Sequence, residues 1–220
     1  VSPSSIAPAA PRPQASTRTR YGIFAVAISG VGIGVGLMIE AHLGVAPNDV
    51  LSTGLADTLG WGVGTASWLT SGVAMLLAWA LGRRPRLPTV LGGVFVGLAI
   101  NGMLAALPTP DGLPLRWGFL LLGLCVVWAA ITGVVSADVG AGPLELVMLA
   151  LMDRRVSIRV ARWGIELTLL GFGLALGGSA GIGTALFAFG TGPVLSITLP
   201  WGSARTGIDL THPVEVVGTT

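Results

Sequence analysis

The chain contains no lysine and a single cysteine, and only 10% of its 220 residues are charged. A soluble domain carries about 25% charged residues, so a water-soluble fold does not fit this composition. Arginine alone carries the basicity, the formal charge is +2, and no basic patch points to nucleic acid. Cys125 has no partner for an internal disulfide; it lies inside an apolar run, where a packing role is expected. Histidine is scarce too. With only His42 and His212, no grouping has metal-ligand spacing, and no Ser/His/Asp pattern suggests a triad. No metal, cofactor or enzymatic chemistry is expected. The glycine-rich Gly177–Thr184 stretch lacks the lysine of a phosphate loop and reads as a tight turn.

Long apolar runs are abundant. Hydrophobic residues make up 52% of the chain, and the mean hydropathy is +0.83. Tyr21–Ile39, Trp61–Gly82, Thr89–Leu107, Trp117–Ala137, Val160–Leu176 and Ile182–Trp201 each approach the roughly 20 residues a membrane helix needs. The sequence predicts an all-α, multi-pass protein whose first partner is the lipid bilayer. Arg12, Arg18 and Arg20 precede the first run. Arg83, Arg84 and Arg86 separate the second from the third, and Arg154, Arg155 and Arg159 the fourth from the fifth; Arg205 follows the last. The positive-inside rule then places both termini in the cytoplasm. Residues 1–20 and 202–220 read as cytoplasmic tails, the first disordered.

A shift of 96 residues aligns Gly44 with Gly140, Pro47 with Pro143 and Asp49 with Glu145. After a one-residue gap, Trp68 meets Trp163, Thr89 meets Thr184 and Gly97 meets Gly192. The chain therefore divides into repeat 1 (21–108) and repeat 2 (117–201). Three spans in each make an odd number, so the second copy enters the membrane from the opposite side. Two inverted three-helix repeats are an architecture common among secondary transporters. Gly44, Pro47, Gly140, Gly142 and Pro143 mark backbone breaks, each followed by a short half-helix, 48–59 and 144–153. Proline suits the first helical turn, and an acid there favours the positive end of the helix dipole. Asp49 and Glu145 are read either as caps of interfacial helices or as groups facing a shared cavity.

Deeper in the chain, Glu166 stands where a charge costs roughly 2.5–3.5 kcal/mol on insertion scales. Arg162, one turn earlier, is either its structural ion-pair partner or, with Trp163, a second wall of the same cavity. The matching residues of the first half are Ser67 and Ser71, which makes any shared site lopsided. Asn48 and Trp68 complete the candidate substrate-binding set with Asp49, Glu145, Arg162, Trp163 and Glu166. Gly30, Gly32, Gly34 and Gly36 give overlapping GxxxG spacings suited to close helix packing.

Five stretches carry a family resemblance: LGVAPNDVL (43–51), GAGPLELVM (140–148), RWGIE (162–166), LGGSAGIGT (176–184) and Gly192–Pro193. Over residues 20–200 the chain resembles the YczE/YyaS/YitT group of bacterial integral membrane proteins, closest to its YczE-like branch. In that pattern the first motif reads Pro-Trp-Asp, where this chain has Asn48 before Asp49. The second carries Arg-Asp after the proline, where Leu144 and Glu145 stand here. The resemblance implies a polytopic protein of the bacterial plasma membrane and leaves its activity open. Two readings follow. One is a small transporter for a small molecule or ion, with its site at the repeat interface. The other is an accessory protein that docks, through its glycine-rich first span, on a membrane partner or a second copy of itself.

Overall fold

The computed structural model describes residues 16–206, so most of both predicted tails, with Arg12 and His212, lies outside the described residues. Among those residues there are eight helices and no strand. They are α1 Thr17–Ala41, α2 Pro47–Leu59, α3 Val63–Ala80, α4 Leu87–Ala106, α5 Leu113–Ala137, α6 Pro143–Asp153, α7 Ile158–Ala175 and α8 Ile182–Thr206. Five of them, α1, α3, α4, α5 and α8, are long and apolar enough to cross a membrane. The fifth expected span, α7, matches α3 in length at 18 residues. Its first half carries Arg159, Arg162 and Glu166, and on composition it does not qualify.

Local chemistry sets the boundaries. Ser16 caps α1 by accepting the Thr19 N–H at 3.3 Å, so residues 17–20, expected in the tail, form its first turn. Both half-helices start one residue earlier than expected, on Pro47 and Pro143, whose missing N–H costs nothing there. α2 stops at Gly60, whose φ of +67° suits the left-handed cap. α1 and α5 end on non-glycine residues in the same conformation, His42 at φ +50° and Asp138 at φ +46°.

α1 lies at the centre, against α4 on one side and α5 on the other. Gly32 and Gly36 face Ala99 and Met103 of α4; Gly30 and Gly34 face Ala130 and Val127 of α5. α1 and α5 run antiparallel: Arg20 at the start of α1 pairs at 2.9 Å with Asp138 just past the end of α5, and Ala27 sits over Gly133. The buried core gathers Val35, Met38, Ile100, Leu120, Leu124 and Val127, closed by Val45 and Val50 from the first break and half-helix. α2 packs on α3 and α7, α6 on α7 and α3, and α8 on α5. Where α2 meets α7, Gly54 lies against Gly173; where α6 meets α3, Ala150 and Ala78 are both fully buried.

The outer surface is apolar. Val26, Leu76, Phe95, Leu121, Leu122, Phe189 and Ile197 are all exposed, a belt that suits hydrocarbon and not water. Tyr21, Trp61, Trp79 and Trp201 are exposed near helix ends, whereas Trp117 packs on the core. Cys125, expected to pack inside, is instead exposed. Arg83 makes a two-point ion pair with Asp153 at 2.6 and 2.7 Å, stitching the α3–α4 loop to the end of α6. The guanidinium holds the Asp153 carboxyl below the usual carboxylate range. So exposed a pair contributes at most about 1 kcal/mol.

Candidate functional site

The break at Leu43–Ala46 is held by the far end of the chain. Val45 N–H donates to the Ser179 carbonyl at 3.2 Å, and Gly183 N–H to the Leu43 carbonyl at 2.8 Å. Gly44, at φ +104°, sits so close to Gly181 that a side chain at either would strike backbone. The twin break is held by a different bond, from the Thr89 hydroxyl at the start of α4 to the Ala141 carbonyl at 2.8 Å. Each break is thus pinned by the start of the last helix of the other half.

Asp49, in the first turn of α2, is 6% exposed. Among the described residues its side chain has one hydrogen-bond partner, the Asn48 amide at 3.5 Å. A buried carboxylate usually gathers more, because an under-partnered charge is costly. The same helix buries Ser52 and Thr53. Ser52 lies 3.4 Å from Thr70 of α3, and Thr53 accepts the Ser179 N–H at 2.9 Å. Ser67, a turn before Thr70, is buried as well. A polar seam therefore runs through the first half between α2 and α3, with Asp49 at its head.

The second half is built otherwise. Glu145 is exposed, and its carboxylate folds back over Gly142 at the start of its own helix. Arg162 and Glu166 form an ion pair at 3.1 Å, their side chains 49% and 25% exposed. They share a face of α7 with buried Gly173, which meets Val50 and Leu51 of α2, and lie beside Ile165, which packs toward Leu146 and Val147 of α6. Trp163 is 52% exposed; its repeat partner Trp68 donates its indole N–H to the Val94 carbonyl at 3.0 Å. The candidates therefore form two groups, Asn48–Asp49 with the hydroxyl seam, and Arg162–Glu166. Among the described residues no hydrogen bond or ion pair joins one group to the other, or either to Glu145.

Sequence reading missed the seam, because serine and threonine in an apolar helix carry no hydropathy signal; only the repeat match of Ser67 and Ser71 to Arg162 and Glu166 hinted at it. Glu40, near the end of α1, is 9% exposed and accepts the Thr109 hydroxyl at 2.8 Å. The Arg20–Asp138 pair was missed as well; with Thr17, Tyr21 and Val139 it lines a shallow recess.

No solved structure matches the chain. A "Family of unknown function (DUF6198)" matches residues 18–200. A protein of Haemophilus influenzae described as "Uncharacterized protein" is 33% identical over 178 residues, covering 80% of this chain and 81% of its own length. The "Uncharacterized membrane protein YczE" of Bacillus subtilis is 31% identical over 172 residues, covering 76% and 79%. With a match across nearly all of the helical region, the chain belongs to the DUF6198 family and is a membrane protein of the YczE-like kind.

Proposed function

We propose that the chain is a small secondary transporter of the bacterial plasma membrane, with six spans, cytoplasmic termini and two inverted repeats. One observation carries the reading: the packing is reciprocal around an antiparallel pair. α1 pairs with its own repeat partner α5; α2 packs on α7 as α6 packs on α3; α4 packs on α1 as α8 packs on α5. A two-fold axis through the α1–α5 seam would carry each of these contacts onto its twin. Partners that run antiparallel across that axis suit an axis lying in the membrane plane. α7 is the sixth span of this reading, its charges turned inward toward α2 and α6.

Substrate is assigned to the region between the half-helices and α7. Asn48, Asp49 and the Ser52–Thr70 seam provide one set of polar groups, Arg162 and Glu166 the other. Such groups at membrane depth are costly, and their usual place is a substrate or ion path. The accessory reading loses its main surface, because Gly30, Gly32, Gly34 and Gly36 are spent on α4 and α5 within the same chain.

Two measurements test this. In a chain with Cys125 replaced, single cysteines at the exposed, repeat-matched Leu59 and Arg155 are probed with an impermeant thiol reagent in intact cells. Label is expected at position 59 from outside and at 155 only after permeabilisation; label at both from outside would end the inverted reading. Purified protein is then reconstituted into liposomes and offered pooled labelled amino acids, carboxylates and inorganic ions. Uptake of at least one solute above protein-free vesicles is expected. No uptake, with a specific membrane protein co-purifying, would return the accessory reading.

A further inference from the structure

The two halves differ at one seam. α3 packs closely on α4, whereas among the described residues the matched pair α7 and α8 makes next to no contact. Three parts close the α3–α4 seam. Gly64 meets Gly97 backbone to backbone, and its N–H donates to Asn101 at 2.9 Å. The Trp68 indole lies across Gly97 and donates to the Val94 carbonyl at 3.0 Å. Gly97, Trp68 and Val94 have counterparts in the second half that are unengaged, whereas Gly64 is matched by Arg159 and Asn101 by Ser196, whose hydroxyl donates to the Pro193 carbonyl at 2.7 Å. Gly192, matching Gly97, has no atom within 4 Å of the position a side chain would take. Trp163, matching Trp68, has no hydrogen-bond partner among the described residues. Phe189, matching Val94, is 74% exposed.

The acceptor is also prepared. Pro193 lies inside α8 and has no N–H to give the carbonyl four residues earlier. That carbonyl is Phe189's, the one matched to Val94, and among the described residues no side chain donates to it. An indole N–H without an acceptor, and a peptide carbonyl deprived of its donor four residues on, are each unfavourable in hydrocarbon; moving α7 onto α8 gives each the other as a partner.

We propose that this structure is one of two gate states, and that the other closes α7 on α8 through a hydrogen bond from the Trp163 indole to the Phe189 carbonyl. The inference rests on the inverted-repeat transporter reading and adds its gates. The closed seam lies at the N-terminal end of α3 and the C-terminal end of α4, outside in the proposed orientation. The cleft opens between the N-terminal part of α7 and the C-terminal part of α8, toward the cytoplasm. Here the chain is open inward. In the opposite state the Trp68–Val94 bond breaks as the Trp163–Phe189 bond forms, so each state keeps one indole paired.

Disulfide trapping tests this without a substrate. In a Cys125→Ala background, T65C/N101C reports the outer seam, whose native side chains lie 3.4 Å apart. V160C/S196C, the repeat-matched pair, reports the inner one. Both pairs are expected to cross-link under mild oxidation, but never in the same four-cysteine chain. Trp163→Phe should lower the inner yield several-fold and spare the outer, and Trp68→Phe should do the reverse. Failure of 160/196 to cross-link where 65/101 does, or both disulfides in one chain, would overturn the proposal. Trapping that alternates while liposomes show no uptake leaves the gate standing and sinks the transporter reading; uptake without alternation does the opposite.

Discussion

Replacing Gly34 by leucine should cost the protein its packed centre. A Cβ at position 34 would stand 2.5 Å from Val127 Cγ2 and 2.8 Å from the Gly123 carbonyl oxygen. A side-chain end can rotate away; a carbonyl in the facing helix cannot, so α1 and α5 must separate. The seam cannot spread locally, because Gly123 is as tightly placed: a Cβ there would stand 2.8 Å from both the Gly34 carbonyl oxygen and Met38 Cγ. Overpacking by a few methylenes costs about 1–3 kcal/mol, and a whole leucine against backbone belongs at or above the top of that range. In a chain of this size each kcal/mol moves Tm by about 2–4 °C, so a drop on the order of 10 °C is expected in detergent, with aggregation on a sizing column. Gly164, with no atom within 4 Å of its Cβ position, is the control, and Gly164→Leu should melt close to the parent. A Gly34→Leu protein that melts within about 2 °C of the parent would mean that the two helices do not meet there. The same pair of variants weighs the accessory reading, in which an enlarged α1 glycine loses a partner while the chain stays folded.

The breaks were legible because their causes are local. Proline at a first turn and glycine beside it act within a few residues, and Pro47 and Pro143 start their helices in the structure. The orientation of apolar side chains was not legible, and Cys125 shows why. In a soluble helix a polar face marks the outside, but here lipid and interior are both apolar, so hydropathy cannot tell them apart. Glycine can: the four in α1 sort into two seams because close approach is geometric and independent of polarity. Charges fall between these cases. The Arg162–Glu166 pair follows from i,i+4 spacing alone, whereas the burial of Asp49 and Glu40 depends on helices distant in sequence. The repeat carried information that no single half held. Trp163 and Gly192 are ordinary residues until their partners Trp68 and Gly97 are seen engaged.

Removing both members of the Arg162–Glu166 pair should separate what it does for the fold from what it does for transport. On the six-span reading, Glu166→Leu leaves Arg162 unpaired at membrane depth, and Arg162→Leu leaves Glu166 so. A lone charge there costs roughly 2.5–3.5 kcal/mol on insertion scales. The cost here belongs toward the lower end, because the arginine side chain is 49% exposed and long enough to reach the interface. Each single variant should therefore lose several degrees of melting temperature. The double variant Arg162→Leu/Glu166→Leu removes the charges together, and replacing an ion pair by apolar residues is often neutral or stabilising. It should recover most of the lost stability, giving a coupling of about 1–3 kcal/mol in the double-mutant cycle. Uptake in liposomes should not recover, because the charged face that α7 turns toward α2 and α6 is gone. A double variant that is both stable and active would make the pair structural only and move the substrate site to Asp49 and the hydroxyl seam. Conversely, Glu166→Gln keeps size and hydrogen-bonding reach; if it folds normally yet moves no solute, the charge itself is what the transported species meets.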